Sequence, residues 1–176
     1  MAWQTKLSIL ASFVALALAS TPKDVPADVT AITTAVTTLD KALNNFTGGN
    51  VTEAAIIHLD ADAVARAIQN ATTDVKAAPR PFSDTDAALI LQELQTLDPI
   101  VADASKQIVA KKPAFAALPL QNVISGVQND LNHISGNVTS LSSALTAAFP
   151  ADKKATLSTI EKSITSSLAT AVNAYK

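Results

Sequence analysis

The sequence predicts an all-α protein, an elongated up-and-down bundle of about five amphipathic helices. Three observations carry this expectation. Apolar residues recur at steps of three and four through most of the chain, and no segment alternates with period two for long enough to read as a strand. Prolines and a Gly48-Gly49 pair interrupt the repeat at intervals, which argues against one long coiled coil. Only four glycines occur in 176 residues, a composition suited to long helices and ill suited to a phosphate-cradling loop.

The first residues stand apart from this pattern. Lys6 precedes an apolar run from Leu7 to Leu18, and Ala17-Leu18-Ala19 has the small-x-small form of a cleavage site. The run is too short to span a bilayer, so residues 1–19 are expected to be a secretory signal peptide and residues 20–176 a single helical-bundle domain. No later segment is apolar enough to span a membrane, and the C-terminus lacks the hydrophobic tail of a lipid-anchor signal.

The first helix is expected over roughly 27–46, with Val29, Ile32, Val36, Leu39, Leu43 and Phe46 on one face, between Pro26 and Gly48-Gly49. The second opens at Thr52 as N-cap and carries Ile57, Ala61, Val64, Ile68, Ala71 and Val75 until Pro79 and Pro81. Ser83 and Asp86 stand at capping-box spacing before the third, which runs through Ile90, Leu94, Leu97, Val101, Ala104 and Ile108 to Pro113, with a kink expected at Pro99. The fourth is the most regular, from Leu120 through Ile124, Val127, Leu131, Ile134, Val138 and Leu141 to Leu145. The fifth starts at Pro150, with Asp152 in its first turn, and carries Leu157, Ile160, Ile164, Leu168, Ala171 and Tyr175. Short connections make these helices antiparallel neighbours.

Composition removes many functions. With no cysteine there is no disulfide framework, thiol nucleophile or cysteine zinc site, and a net charge of -2 offers no footprint for nucleic acid. There is no Gly-x-Ser-x-Gly, His-Glu-x-x-His or phosphate loop, so no catalytic residue is assigned. His58 and Asp62 are four apart on one helix face, but two histidines without a third ligand read as solvated residues rather than a metal site. Asp60 and Asp62 read as a solvated face with no sign of a raised pKa. No cofactor is expected. Of four Asn-x-Ser/Thr sequons, those at Asn45 and Asn50 flank the Gly48-Gly49 loop and are the expected glycosylation sites, ahead of Asn70 and Asn137 within helical patterns.

The interior is unusual. Beyond the leader, Phe46, Phe82, Phe115, Phe149 and Tyr175 all lie at or near helix ends, and the middle layers are purely aliphatic. Such a distribution describes either a core with aromatic plugs or an elongated cavity with aliphatic walls, and the pattern alone favours ordinary packing. Small hydroxyls also stand within the stripes: Thr33, Ser105 and Ser167. They are expected to bond the preceding turn or, in a cavity, to meet a carboxylate. Lys111 and Lys112 close the third helix, where they suit its C-terminus or an acidic headgroup.

The stretch Ile108-Val109-Ala110-Lys111-Lys112-Pro113-Ala114-Phe115, the Phe46-to-Gly49 turn, the Phe149-Pro150 junction and the Ala-rich ending at Tyr175 together resemble the fungal hydrophobic surface binding protein family, also called the cell wall galactomannoprotein family. The resemblance covers about residues 21–176. It implies a secreted or wall-associated helical bundle, without enzymatic activity, that adsorbs to hydrophobic surfaces and encloses long-chain fatty acids or another apolar ligand along its axis, with cell-wall polysaccharide as a further partner. The absence of a Ser/Thr-rich stalk points to a freely secreted form, and Ala116-Ala117-Leu118-Pro119 follows Phe115 where a glycine is expected. With that resemblance, cavity becomes the preferred reading over plain core.

The expected ligand site is taken from the middle of the stripes: Val36, Leu39, Val64, Ile68, Leu94, Leu97, Val101, Val127, Leu131, Ile134, Ile160 and Ile164. Thr33, Ser105 and Ser167 are the preferred partners of a carboxylate, with Lys111 and Lys112 at the mouth as the other choice. A chain of about sixteen carbons could gain roughly 12 kcal/mol gross from burying its methylenes, so greasy walls are sufficient without a strong polar site. The competing reading is a structural cell-wall mannoprotein with a packed core and no ligand.

Overall fold

The computed structural model describes residues 24–176, so the expected leader over residues 1–19 lies outside the described residues. Those described form five α-helices and one short 3-10 turn, with no strand among them: α1 (Asp24–Asn45), α2 (Val51–Ala77), α3 (Asp84–Ala116), α4 (Val123–Ala148), the turn Ala151–Lys153, and α5 (Lys154–Ala174). No described helix is long and apolar enough to cross a membrane.

The helix boundaries follow local chemistry. α1 begins ahead of Pro26 rather than after it, because a proline in the first turn lacks only an N–H that would have had no helical partner. α2 is capped by Asn50 and not by Thr52: Asn50 Oδ1 accepts from the backbone N–H of Thr52 at 2.9 Å and of Glu53 at 3.4 Å. The Ser83 cap forms as its spacing indicated, with Ser83 Oγ accepting from Asp86 N at 3.1 Å and donating to the Asp86 carboxylate at 2.6 Å. α3 contains both Pro99 and Pro113 and ends only at Ala116. The expectation that Pro113 stops it is corrected. Phe115, one residue inside the new end, is 1% exposed, and burying that ring holds the last turn in place.

α4 starts at Val123, three residues later than its stripe suggests. Leu118 is buried and Leu120 is 49% exposed, so Leu120 belongs to the connection and not to the core. The turn into α4 uses a left-handed backbone at Asn122 (φ 64°), a conformation that asparagine tolerates, in the connection where a glycine was expected. Gly48 is the other special position. Its φ is +91°, and a Cβ there would stand 3.2 Å from Ala114 Cβ, so the α1–α2 turn can lie directly against α3. α5 proper begins at Lys154, after the 3-10 turn has absorbed Asp152.

The packing differs from a simple meander. α1 packs on α2 and α3, α2 on α4, α3 on α5, and α4 on α5, whereas α3 and α4 touch only slightly and α2 does not pack along α3. Since successive helices reverse direction, α1, α3 and α5 form one parallel layer and α2 and α4 another. Antiparallel contacts occur at α1·α2 and α4·α5. The expectation that sequence neighbours are also spatial neighbours therefore fails at α2·α3 and nearly fails at α3·α4. Each helix presses on two others, giving the closed order α1, α2, α4, α5, α3. Five helices of about 10 Å diameter with axes near 10 Å apart leave an axial space roughly 3.5 Å in radius, against roughly 2 Å for four.

Aromatic rings close both ends of this ring of helices. Phe82 and Phe149 meet edge-to-face with centroids 5.7 Å apart at one end, where Phe82 N donates to Ala148 O at 2.8 Å. At the other, Phe46 and Phe115 stack at 4.6 Å, and the buried Tyr175 hydroxyl donates to Ile108 O at 2.8 Å. Lys112 Nζ lies 5.4 Å from the Tyr175 ring centroid.

Candidate functional site: an aliphatic cavity along the bundle axis

The space between the two helix layers is a continuous cavity of about 350 Å³. Every helix contributes its inward stripe. α1 supplies Ile32, Val36, Leu39 and Leu43; α2 supplies Ile57, Ala61, Val64 and Ile68; α3 supplies Leu94, Leu97, Val101, Ala104, Ser105 and Ile108. α4 adds Val127, Leu131, Ile134, Val138, Leu141 and Leu145, and α5 adds Ile160, Ile164 and Leu168. The cause lies in the composition of the stripes: no aromatic ring enters the middle layers, and aliphatic side chains from five separated helices do not reach across the axis. Phe115 forms part of the wall near one end.

The residues expected at the site fall mostly on this wall. Val36, Leu39, Val64, Ile68, Leu94, Leu97, Val101, Ser105, Val127, Leu131, Ile134, Ile160 and Ile164 all line the cavity, whereas Thr33 and Ser167 do not. Helix geometry gives the reason. Ile32 and Val36 face the axis, which turns Thr33 about 100° away from Ile32, and its hydroxyl donates to Val29 O at 3.0 Å instead. Ser167 is displaced by the same step from Leu168, which takes the inward place. Ser105 is 7% exposed and lies within the wall.

The cavity also extends beyond the residues chosen from sequence. Ile32, Leu43, Ile108, Leu141, Leu145 and Leu168 continue the same stripes and were legible in them; restricting the candidates to mid-stripe positions cut the site short. Less legible is the rim. Val51, 37% exposed, Ala55, His58 and Leu120 line the cavity while facing solvent, so the opening lies between the first half of α2, the α3–α4 connection and the first half of α4. Leu120 had counted as one more stripe residue, and nothing in the sequence set it apart.

Few polar groups interrupt the walls. His58 and Asp130 face each other across α2 and α4, with His58 Nδ1 2.8 Å from Asp130 Oδ2. This hydrogen bond and the Asp130 charge raise the His58 pKa above its usual 6.5. His58 is thus exposed, as expected, but paired with Asp130 and not with Asp62. Glu161, on α5, accepts from Thr146 Oγ1 at 3.4 Å, and burial raises its pKa against the opposing effect of the Thr146 and Ser142 hydroxyls. Asp60 is likewise pushed up by burial, which corrects the expectation that nothing around it raises its pKa.

Lys111 and Lys112 are not at the opening. Lys111 Nζ donates to Phe46 O at 2.7 Å and Lys112 Nζ to Ala174 O at 2.6 Å, so each lysine ties the end of α3 to the C-terminal carbonyls of another helix. Of the two roles expected of these lysines, this geometry gives each the helix-end one, on a carbonyl of another helix rather than of α3 itself. The described residues hold no cluster of three His, Cys, Asp or Glu side chains placed to bind a metal.

A closed ring of five helices around an aliphatic cavity, sealed by aromatic rings and opening at one flank, defines a helical ligand-binding bundle. The chain belongs to the hydrophobic surface binding protein A family, whose model matches residues 22–147. Among solved structures it is similar to Afmp4p in complex with palmitic acid, with 27% identity, a TM-score of 0.81, and coverage of 88% of this chain and 99% of that one. Two domains of the Penicillium marneffei MP1 protein share the fold. Ligand binding domain 1, complexed with arachidonic acids, is 18% identical with a TM-score of 0.76 over 85% of this chain and 95% of that one. Ligand binding domain 2, complexed with multiple arachidonic acids, is 15% identical at the same TM-score over 85% of this chain and 92% of that one. No curated protein sequence matches the chain.

Proposed function

We propose that this protein is a secreted, non-enzymatic carrier that encloses a long-chain fatty acid in its axial cavity and adsorbs to hydrophobic surfaces. The observation that carries the reading is the 350 Å³ cavity itself, walled by aliphatic side chains from all five helices. Its volume falls in the range of small-molecule sites, and each methylene moved into it from water contributes about 0.8 kcal/mol before ordering costs. The palmitic acid held by Afmp4p supports a fatty acid as ligand. Adsorption is supported by family membership and by exposed Ile56 and Leu59 on the half of α2 that borders the opening.

Export with cleavage before residue 20 is part of the same proposal, resting on the apolar leader. So are N-glycans at Asn45 and Asn50, both exposed on either side of the α1–α2 turn, and contact with cell-wall polysaccharide. The experiment that tests ligand binding is displacement of a fluorescent fatty-acid analogue from delipidated protein by palmitate. Saturable displacement is expected, weakened at least tenfold in Leu131→Asp, because a carboxylate on the wall would face hydrocarbon without a partner. Correctly folded, delipidated protein with no saturable binding would overturn the proposal in favour of a structural wall protein.

A further inference from the structure

Apolar walls favour a hydrocarbon chain but are indifferent to which end of a fatty acid enters first. The ionisable side chains on the wall break that symmetry. They are His58, Asp130 and Glu161. Glu161 lies between α4 and α5, beside Thr146 near the end of α4, away from the opening. A carboxylate drawn to that depth would meet a second carboxyl group and no basic side chain.

The opening offers the opposite chemistry. His58 is the one basic side chain on the cavity wall, its side chain is 57% exposed, and its Nδ1 is engaged by Asp130 at 2.8 Å. Among the described residues no second hydrogen bond engages the ring, which leaves Nε2 as a donor whenever the imidazole is protonated. The other cations that sequence suggested are excluded by geometry, since Lys111 and Lys112 are bonded to the carbonyls of Phe46 and Ala174.

We propose that His58 is the headgroup anchor of this cavity: the ligand enters tail first, and its carboxylate remains at the opening on Nε2 of His58, while Asp130 holds Nδ1. The inference rests on the fatty-acid reading above and adds an orientation and a chemical preference. Acids are bound better than alcohols of equal length, and the preference grows as the pH falls through the His58 pKa, because only the imidazolium offers Nε2–H with a charge. The charged groups that face His58 are Asp130 from α4 and Asp62 from α2 itself, and both favour the protonated ring; α1, the other helix packed on α2, adds none.

Hexadecyl sulfate, which stays anionic at every pH used, and hexadecanol, which has no charge, separate the headgroup from the tail. Each is titrated against delipidated wild type, His58→Gln and Asp130→Asn at pH 5.5 and 8, with circular dichroism verifying the fold. Wild type should bind the sulfate about tenfold more tightly at pH 5.5 than at pH 8, the size expected of one charge-assisted hydrogen bond. His58→Gln should abolish that difference and weaken hexadecanol far less than the sulfate, and Asp130→Asn should move the transition to lower pH. The anchor is overturned if His58→Gln keeps the pH dependence, or weakens alcohol and sulfate equally. Should wild type bind neither ligand, the fatty-acid reading itself falls; binding of both without any effect of His58→Gln removes the anchor alone.

Discussion

Tyr175 illustrates how much one side chain near the end of this chain does. It is the only tyrosine in the sequence, its ring is 2% exposed, and its hydroxyl donates to Ile108 O, so α5 is fastened to α3 at the aromatic end of the bundle. Burial drives its phenol well above the ordinary value of 10.0. The native state therefore keeps the proton while the unfolded chain loses it near pH 10. Stability contributed by the neutral buried phenol is complete below that pH and declines as pH rises further, because only the unfolded state gains by ionising. We expect urea melts between pH 7 and 11 to lose stability more steeply in wild type than in Tyr175→Phe above pH 10. The variant should lose about 1 kcal/mol at neutral pH through the missing hydrogen bond. Parallel pH profiles would contradict the assignment. At this scale the sequence was informative about type but not about partner: Tyr175 and the four phenylalanines were visibly at helix ends, while the pairs Phe46–Phe115 and Phe82–Phe149 join residues more than sixty positions apart.

Between elements, the decisive contacts are those that satisfy helix ends. The carbonyls at a helix C-terminus have no partner within the helix, and here two of them are met by lysines from another helix. Lys111→Ala and Lys112→Ala should each cost about 1–2 kcal/mol in chemical denaturation, the worth of a charge-assisted hydrogen bond partly exposed to solvent. Both variants should bind palmitate with wild-type affinity and an unchanged salt dependence. A loss of affinity without a loss of stability would return these lysines to the headgroup. The α2 cap carries a related lesson. Asn50 uses Oδ1 on the helix N-terminus and donates its Nδ2 to Glu53 Oε1 at 3.0 Å, so the amide that a glycan would occupy already has a structural role.

For the whole molecule, the question is whether the axis is empty or filled, and stability can answer it independently of any ligand. Val101 lines the cavity from α3. In a close-packed core, Val101→Phe would overpack and cost about 1–3 kcal/mol. In the cavity described here the added ring has room, so the delipidated variant should melt at or above the wild-type temperature while losing palmitate binding. Destabilisation with binding retained would mean that the axial space is not where the ligand lies. The closed order α1, α2, α4, α5, α3 explains why the space exists at all, since five helices in a ring cannot all meet at the centre.

The helical class, the inward stripes and most of the cavity wall were readable from residues alone, because amphipathic period and punctuation are local properties that survive without knowledge of partners. Val36, Val64, Leu97, Leu131 and Ile164 could be named as interior for that reason. The same local information could not rank Thr33 or Ser167 against Ser105, since all three stand among the stripe residues and a single 100° step decides which faces the axis. It could not foresee the parallel α1–α3–α5 layer, the turn of Leu120 to solvent, the reach of Lys111 and Lys112 to other helices, or the meeting of His58 with Asp130 at the opening. Each of these is a relation between segments far apart in sequence. Their geometry is set by how five cylinders close into a ring, which is a property of the assembled bundle and of no single helix.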